Sequence, residues 1–178
     1  MDSKDESIKV AVRVRPLVSS EIDRGCHNVL SKTSNASQIL LKSSTTKQNE
    51  MFTFNFVFDA SDSQEVFYIN AIEPILHKLF EGYNVTIFAY GQTGSGKTHT
   101  MGTAYNGNTD EQTGVIPRAI NDIFRKVNNL SEYTFEVSCS FMELYQEELY
   151  DLLSDKTRED SVVEIQEDKI KGIGYDFD

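Results

Sequence analysis

Cysteine is scarce in this chain of 178 residues: Cys26 and Cys139 stand far apart, with no C-x-x-C spacing. Long apolar runs are missing too, and none approaches the roughly 20 residues that a membrane-spanning helix requires. The opening stretch Met1-Asp-Ser-Lys-Asp-Glu-Ser7 is charged, which excludes a secretory signal there and predicts disorder over residues 1–7. In a chain without such a signal the two thiols read as reduced, and an intracellular location is expected. Positive charge is also short, with 17 Lys and Arg against 28 Asp and Glu and a net charge of −11. The deficit is uneven. Residues 1–131 hold 13 basic and 14 acidic side chains, whereas residues 132–178 hold 4 and 14. No basic face for nucleic acid is present, so direct duplex binding is not expected. The acidic final third would also repel an acidic partner. Internal repeats, heptads and low-complexity tracts are absent.

What remains is an ordinary globular composition, 39% hydrophobic and 25% charged, in a length that suits one domain with a core. Ile8 to Val14 alternates apolar and polar residues and predicts a half-buried strand ending at Pro16. Residues 31–50 are polar and predict a small excursion of short strands and turns around Ile39-Leu-Leu41. Phe52, Phe54, Phe56 and Phe58 fall on one face of a strand. Lacking basic neighbours, they read as core rather than as a base-stacking platform.

Ser61 and Gln64 have the spacing of a capping box opening a helix. Val66, Ile69, Ile72, Leu76 and Leu79 would form its buried face, with Pro74 kinking or dividing it and Gly82 closing it. Val85 to Tyr90 lacks a polar face and predicts a strand buried on both sides. Thr103 to Thr113 reads as an exposed loop. Pro117 then starts a helix to about Val127 that buries Ile120, Ile123 and Phe124. Tyr133 to Tyr145 predicts a strand, Glu147 to Leu153 a short helix, and Val162 to Ile165 a last short strand.

Gly91, Gln92, Thr93, Gly94, Ser95, Gly96, Lys97 and Thr98 fit G-x-x-x-x-G-K-[ST] at every fixed position. Glycines allow sharp turns, so that successive N–H groups point inward at the α- and β-phosphates of a nucleotide. A helix starting near Lys97 directs its positive end at the same anion. Lys97 brings a full charge to the β- and γ-phosphates, and the Thr98 hydroxyl is the expected Mg²⁺ ligand. The expected cofactors are ATP or ADP with Mg²⁺. Other candidates are weaker. Glu143, Glu147, Glu148 and Asp151 resemble a carboxylate cluster, but they read more simply as a solvated helix start. His27, His77 and His99 show no metal-ligand spacing, and no serine stands in a Gly-x-Ser-x-Gly setting.

The loop is embedded in Gly82-Tyr-Asn-Val-Thr-Ile-Phe-Ala-Tyr-Gly-Gln-Thr-Gly-Ser-Gly-Lys-Thr-His-Thr-Met-Gly102, which resembles the signature of the kinesin motor family. Val12-Arg-Val-Arg-Pro-Leu17, Phe56-Val-Phe-Asp59, Gly114-Val-Ile-Pro-Arg118 and the stretch from Ser140 to Leu153 are similar to further segments of that family, in order. Val10 to Gly25, the run before the loop and Val163 to Asp168 look most like chromosome-associated kinesins. The resemblance implies an α/β fold of the P-loop NTPase type, a central and mostly parallel sheet with helices on both faces, incomplete toward the C-terminus. Residues 8–173 would be a partial motor domain, and residues 174–178 a tail departing from the pattern, as if supplied by truncation or read-through. By matched position, Arg13, Arg15 and Pro16 would flank the adenine and His99 would pack on its other side. Without the resemblance those residues read as a charged strand edge and a helix-surface histidine.

Resemblance also implies ATP hydrolysis coupled to movement on microtubules, with tubulin as partner, no membrane, and a cytoplasmic, cytoskeletal location extending to spindle or nucleus. The family's switch motifs, Asn-x-x-Ser-Ser-Arg-Ser-His and Asp-Leu-Ala-Gly-x-Glu, do not occur in these 178 residues. No catalytic residue is therefore assigned, and a nucleotide-holding or regulatory fragment without turnover is the alternative. Other P-loop enzymes fit less well. No Asn-Lys-x-Asp guanine motif is present, and residues 132–178 hold one arginine, Arg158, where a small-molecule kinase would need an arginine-rich lid.

Overall fold

The computed structural model describes residues 8–34, 37–43, 48–102, 110–168 and 172–175. The expectations for residues 1–7, 103–109 and 176–178 lie outside them. The chain divides into two units, Met1–Leu130 and Ser131–Asp178.

In the first unit, β1 (Ala11–Arg13) is the paired part of the strand expected from Ile8 to Val14. A short helix, α1 (Ser19–Asp23), follows it. The polar excursion is a three-stranded antiparallel sheet of β2 (Leu30–Lys32), β3 (Gln38–Leu41) and β4 (Glu50–Thr53). The phenylalanine stripe is divided between β4 and β5 (Phe56–Phe58), because the chain leaves the ladder at Phe54-Asn55. Asn55 Oδ1 there accepts from the Val10 N–H at 2.7 Å. Phe58 is buried, but Phe52 on β4 is exposed, so the core reading holds only for part of the stripe. β5 pairs in parallel with β1, with Val12 opposite Val57 and Arg13 opposite Phe58. Among the described residues this is the only parallel pair, and the expected central sheet is not formed.

The helical stretch after β5 begins two residues later than the capping-box reading. Ser63, not Ser61, is the N-cap of α2 (Gln64–Phe67), and its side chain accepts from the Val66 N–H. A π turn (Tyr68–Ile72) leads to α3 (Glu73–His77) and a 3-10 turn (Lys78–Glu81) closed by left-handed Gly82. Pro74 explains the widening: it lacks an N–H and its ring crowds the carbonyl four residues back. The Glu73 N–H reaches instead to Tyr68 O, five residues back. The buried stripe is Gln64, Phe67, Tyr68, Ala71, Ile72 and Leu76, whereas Val66, Ile69 and Leu79 are exposed. Steps of three residues drift about 60° around a helix each time, so Val66 and Ile69 turn away from the face that Ile72 shares.

Val85 to Tyr90 follows without joining any ladder among the described residues. Ile87 packs on the core, but Phe88 is 88% and Tyr90 100% exposed, which overturns the expectation of a strand buried on both sides. Beyond the glycine loop come α4 (Lys97–Met101) and α5 (Val115–Asn129). Pro117 sits in the first turn of α5, where a missing N–H is harmless. The helix packs through Val115, Pro117 and Ala119, while Ile120 (48%) and Phe124 (46%) stay exposed, contrary to expectation. The core joins Phe58, Phe67, Tyr68, Ala71, Ile72 and Val115. Tyr68 donates to Asp122 Oδ2 at 2.6 Å, and burial beside that carboxylate pushes its hydroxyl pKa up.

In the second unit, the predicted strand–helix pair is a hairpin of β6 (Met142–Tyr145) and β7 (Glu148–Asp151). Residues 134–141 join no ladder among the described residues. Gln146 and Glu147 form the two-residue turn with φ of 51° and 68°, the left-handed pair that a tight hairpin requires. The sequence carries neither Gly nor Asn there, so the turn gave no signal. Glu147 and Asp151 therefore do not share a helical face. Glu143 pairs with Arg158 at 2.9 Å, Glu148 accepts from Tyr150, and Asp151 accepts from the Leu153 N–H. Val162 bridges to Tyr150, and β8 (Ile165–Asp168) pairs antiparallel with β9 (Gly172–Tyr175). Cys26 and Cys139 are exposed and unbridged.

Candidate phosphate-binding site

The loop between Tyr90 and α4 owes its shape to its glycines. Gly91, Gly94 and Gly96 have φ of 153°, 80° and 97°, values that side chains disfavour. At Gly91 a Cβ would also lie 2.5 Å from Ser95 Oγ, so a larger residue there would have to displace the Ser95 side chain. Lys97 opens α4 and folds over the loop, its Nζ donating to Gly91 O at 2.7 Å and Gln92 O at 3.0 Å. Both acceptors are neutral, and among the described residues no carboxylate pairs with Lys97. Thr98 is exposed one residue further on. Gln92, Thr93 and Gly94 form the exposed rim, with the Ser95 N–H donating to Gln92 O at 3.1 Å.

Arg15 ties the loop to the end of β1. Its Nε donates to Gly94 O at 2.8 Å, and its two terminal nitrogens grip Glu21 of α1 at 2.7 and 2.8 Å. That pairing, with the Val18 N–H, holds the Glu21 carboxyl down at about 2. Pro16 is exposed beside it. Arg13 turns the other way. Its Nη1 donates to Gln64 Oε1 at 2.6 Å and to Thr100 Oγ1 at 3.2 Å, with the guanidinium 5.0 Å from the Phe67 ring. Burial pushes the Arg13 pKa down. His99 Nε2 meets Gln112 Oε1 at 3.1 Å.

Thus β1, α2 and α4 converge: Arg15 and Lys97 bond to the loop, Thr98 and His99 follow it on α4, and Arg13 bonds instead to Gln64 and Thr100. Sequence reasoning missed Gln64, Thr100, Gln112 and Glu21. Also unread was the approach of Gly102 to Gly114, where a Cβ on Gly114 would lie 2.4 Å from Gly102 N. Two cavities, of about 240 and 410 Å³, lie elsewhere, beside Phe80 and Lys126 and beside Lys32 and Asp59. The loop is an open cradle rather than an enclosed pocket, which suits gripping by backbone N–H groups. Among the described residues no cluster of His, Cys, Asp or Glu could hold a metal ion.

A family model for the kinesin motor domain matches residues 13–175. The mouse chromosome-associated kinesin KIF4 is 41% identical over 168 residues, covering 93% of this chain and 13% of that protein. The human chromosome-associated kinesin KIF4A is 40% identical over 93% of this chain and 13% of its own length. Human kinesin-like protein KIF21A is also 40% identical, over 95% of this chain and 11% of its own. The chain thus spans about an eighth of the length of such relatives, chromosome-associated kinesins among them. A match running through the loop, the arginine segment and both hairpins leaves one assignment: the chain belongs to the kinesin motor-domain family.

Proposed function

We propose that this chain is the ATP-binding portion of a microtubule motor, holding ATP or ADP with Mg²⁺ at Gly91 to Thr98. The observation that carries the reading is the Lys97 ammonium, poised across a left-handed glycine loop on two carbonyl oxygens with no acidic partner among the described residues. A triphosphate offers it a far stronger acceptor than either neutral carbonyl. Thr98, exposed at the first turn of α4, supplies the hydroxyl for the cation. A Mg²⁺ ion held by that hydroxyl and phosphate oxygens needs no carboxylate cluster, and it neutralises charge on the β- and γ-phosphates. Arg13, Arg15 and Pro16 of the first strand segment, with His99 of α4, are the residues proposed to frame the base.

The proposed role of these 178 residues stops at binding. Neither switch motif occurs among them, so no group here is assigned to orient an attacking water. Residues 8–173 are proposed as motor-domain sequence and microtubules as the partner, with a cytoskeletal location. The chromosome association in the names of KIF4 and KIF4A extends that proposal to the spindle. No nucleic-acid or membrane partner is proposed. Among the described residues no helix is long and apolar enough to cross a membrane. The test is titration of the chain with a fluorescent ATP analogue, with Mg²⁺ and with EDTA. Parent protein should bind more tightly with Mg²⁺, and Thr98→Ala should lose that gain while keeping the metal-free affinity. A parent indifferent to Mg²⁺ would overturn the metal assignment.

A further inference from the structure

Gln64 is 4% exposed, yet it lies on none of the segments that carry the nucleotide-site motifs. Its side-chain amide is fully committed. Oε1 accepts from Arg13 Nη1 at 2.6 Å, while Nε2 donates to His99 O at 2.7 Å and Gln112 O at 3.2 Å. This fixes which end is which, because a guanidinium only donates and a carbonyl only accepts. The same Nε2 lies 3.3 Å from His99 Nδ1. A hydrogen on Nδ1 would face the amide's own N–H, so Nδ1 is the bare nitrogen and the ring proton sits on Nε2. There it is donated to Gln112 Oε1 at 3.1 Å. Both ring nitrogens thus have partners, which restrains rotation of the imidazole.

The partner on the far side is itself anchored. The Gln112 N–H donates to Asp110 Oδ1 at 2.9 Å. Two residues later Gly114 presses on the backbone of Gly102, so the segment carrying Gln112 cannot drift from the end of α4. Arg13, the other arm of the network, also reaches Thr100 of α4. One glutamine amide thus ties the strand before Arg15 and Pro16 to the helix that carries Lys97, Thr98 and His99.

We propose that Gln64 is a positioning residue of the nucleotide site, setting the tautomer and ring plane of His99 so that the imidazole presents a fixed face to the base. The proposal rests on the nucleotide-site reading above, and base preference is its functional signature. A base stacked on a fixed ring gains affinity that a bare phosphate chain does not share.

The test uses the full 178-residue chain, Gln64→Met and Gln64→Glu, with two measurements. The first is the affinity for Mg·ATP relative to Mg·tripolyphosphate. Parent should prefer ATP, and Gln64→Met should lose about tenfold of that preference while binding tripolyphosphate within twofold of parent. The second is ¹⁵N NMR of the histidine rings, with His27 and His77 assigned by substitution. Parent His99 should show the Nε2–H tautomer, and Gln64→Glu, whose carboxylate still accepts from Arg13, should move the proton to Nδ1. A parent without ATP preference would remove the base-site reading and this proposal together. A parent with that preference, retained in Gln64→Met, would overturn the proposal alone. Should Gln64→Met lose tripolyphosphate binding as well, through general unfolding, the Gln64→Glu tautomer decides. An unchanged Nε2–H form there contradicts the positioning role.

Discussion

Arg15 does two jobs with one guanidinium: Nε holds the loop at Gly94 O, and the terminal nitrogens hold Glu21. The ion pair therefore connects α1 to the rim of the phosphate loop, and its pH dependence is readable. The Glu21 pKa is depressed from 4.5 to about 2. A carboxyl with a lowered folded-state pKa stabilises the fold above its unfolded value and loses that contribution as pH falls toward the folded one. Glu21→Gln should thus be less stable than parent at pH 7, with the difference shrinking between about pH 4.5 and 2. Urea titrations at a series of pH values measure it, and a gap unchanged down to pH 2 would show that Arg15 does not hold the carboxylate. At this scale the motif named Lys97 and Thr98 as candidates, and the family likeness named Arg13, Arg15, Pro16 and His99. Gln64 was not legible, because a serine three residues before a glutamine is also the local pattern of a helix cap. Only the fold shows that this amide turns inward to Arg13 and His99.

Elements were legible where a local chemical rule governs them. Pro74 divided its helix and Gly82 closed it, as the missing N–H and the left-handed turn require. They were illegible where the outcome depends on distant partners. Val85 to Tyr90 has the composition of a buried strand, yet a strand is defined by its neighbours, and among the described residues none lies alongside. Backbone amides at Ile87 to Ala89 should consequently exchange with solvent rapidly. Strong protection in a soluble monomer would show a ladder partner that this account lacks. Exposed Phe88 and Tyr90 beside unpaired backbone also favour self-association. The hairpin at Gln146-Glu147 escaped reading for a different reason: its left-handed turn is imposed by the pairing of β6 and β7 rather than by the residues in it. The contact between α4 and α5 gives a cleaner steric test. Gly114 has an ordinary φ of −83°, so alanine there adds no backbone strain. Its Cβ would nevertheless sit 2.4 Å from Gly102 N and 2.7 Å from the Met101 carbonyl carbon. Forcing the two segments apart should cost about 1–3 kcal/mol, read as a lowered urea midpoint. Parent stability in Gly114→Ala would mean that the segments separate freely.

At the scale of the whole molecule, the expected α/β character is present in part among the described residues: the first unit has one parallel pair with helices packed on it, and antiparallel ribbons occur in both units. The first unit, through Leu130, holds every residue proposed to touch the nucleotide. The second carries most of the negative charge, 14 acidic against 4 basic side chains in residues 132–178. An anion should therefore be drawn to the Lys97 loop of the first unit rather than to the second unit. The central claim is that this chain holds Mg·ATP through its glycine loop. Equilibrium titration of parent and Lys97→Ala with a fluorescent ATP analogue in Mg²⁺ tests it most directly. Parent should bind saturably, and Lys97→Ala should lose most of that affinity, since a charged hydrogen-bond donor contributes about 1.5–3 kcal/mol, or at least about tenfold in Kd. Equal affinity of the two proteins would contradict the account.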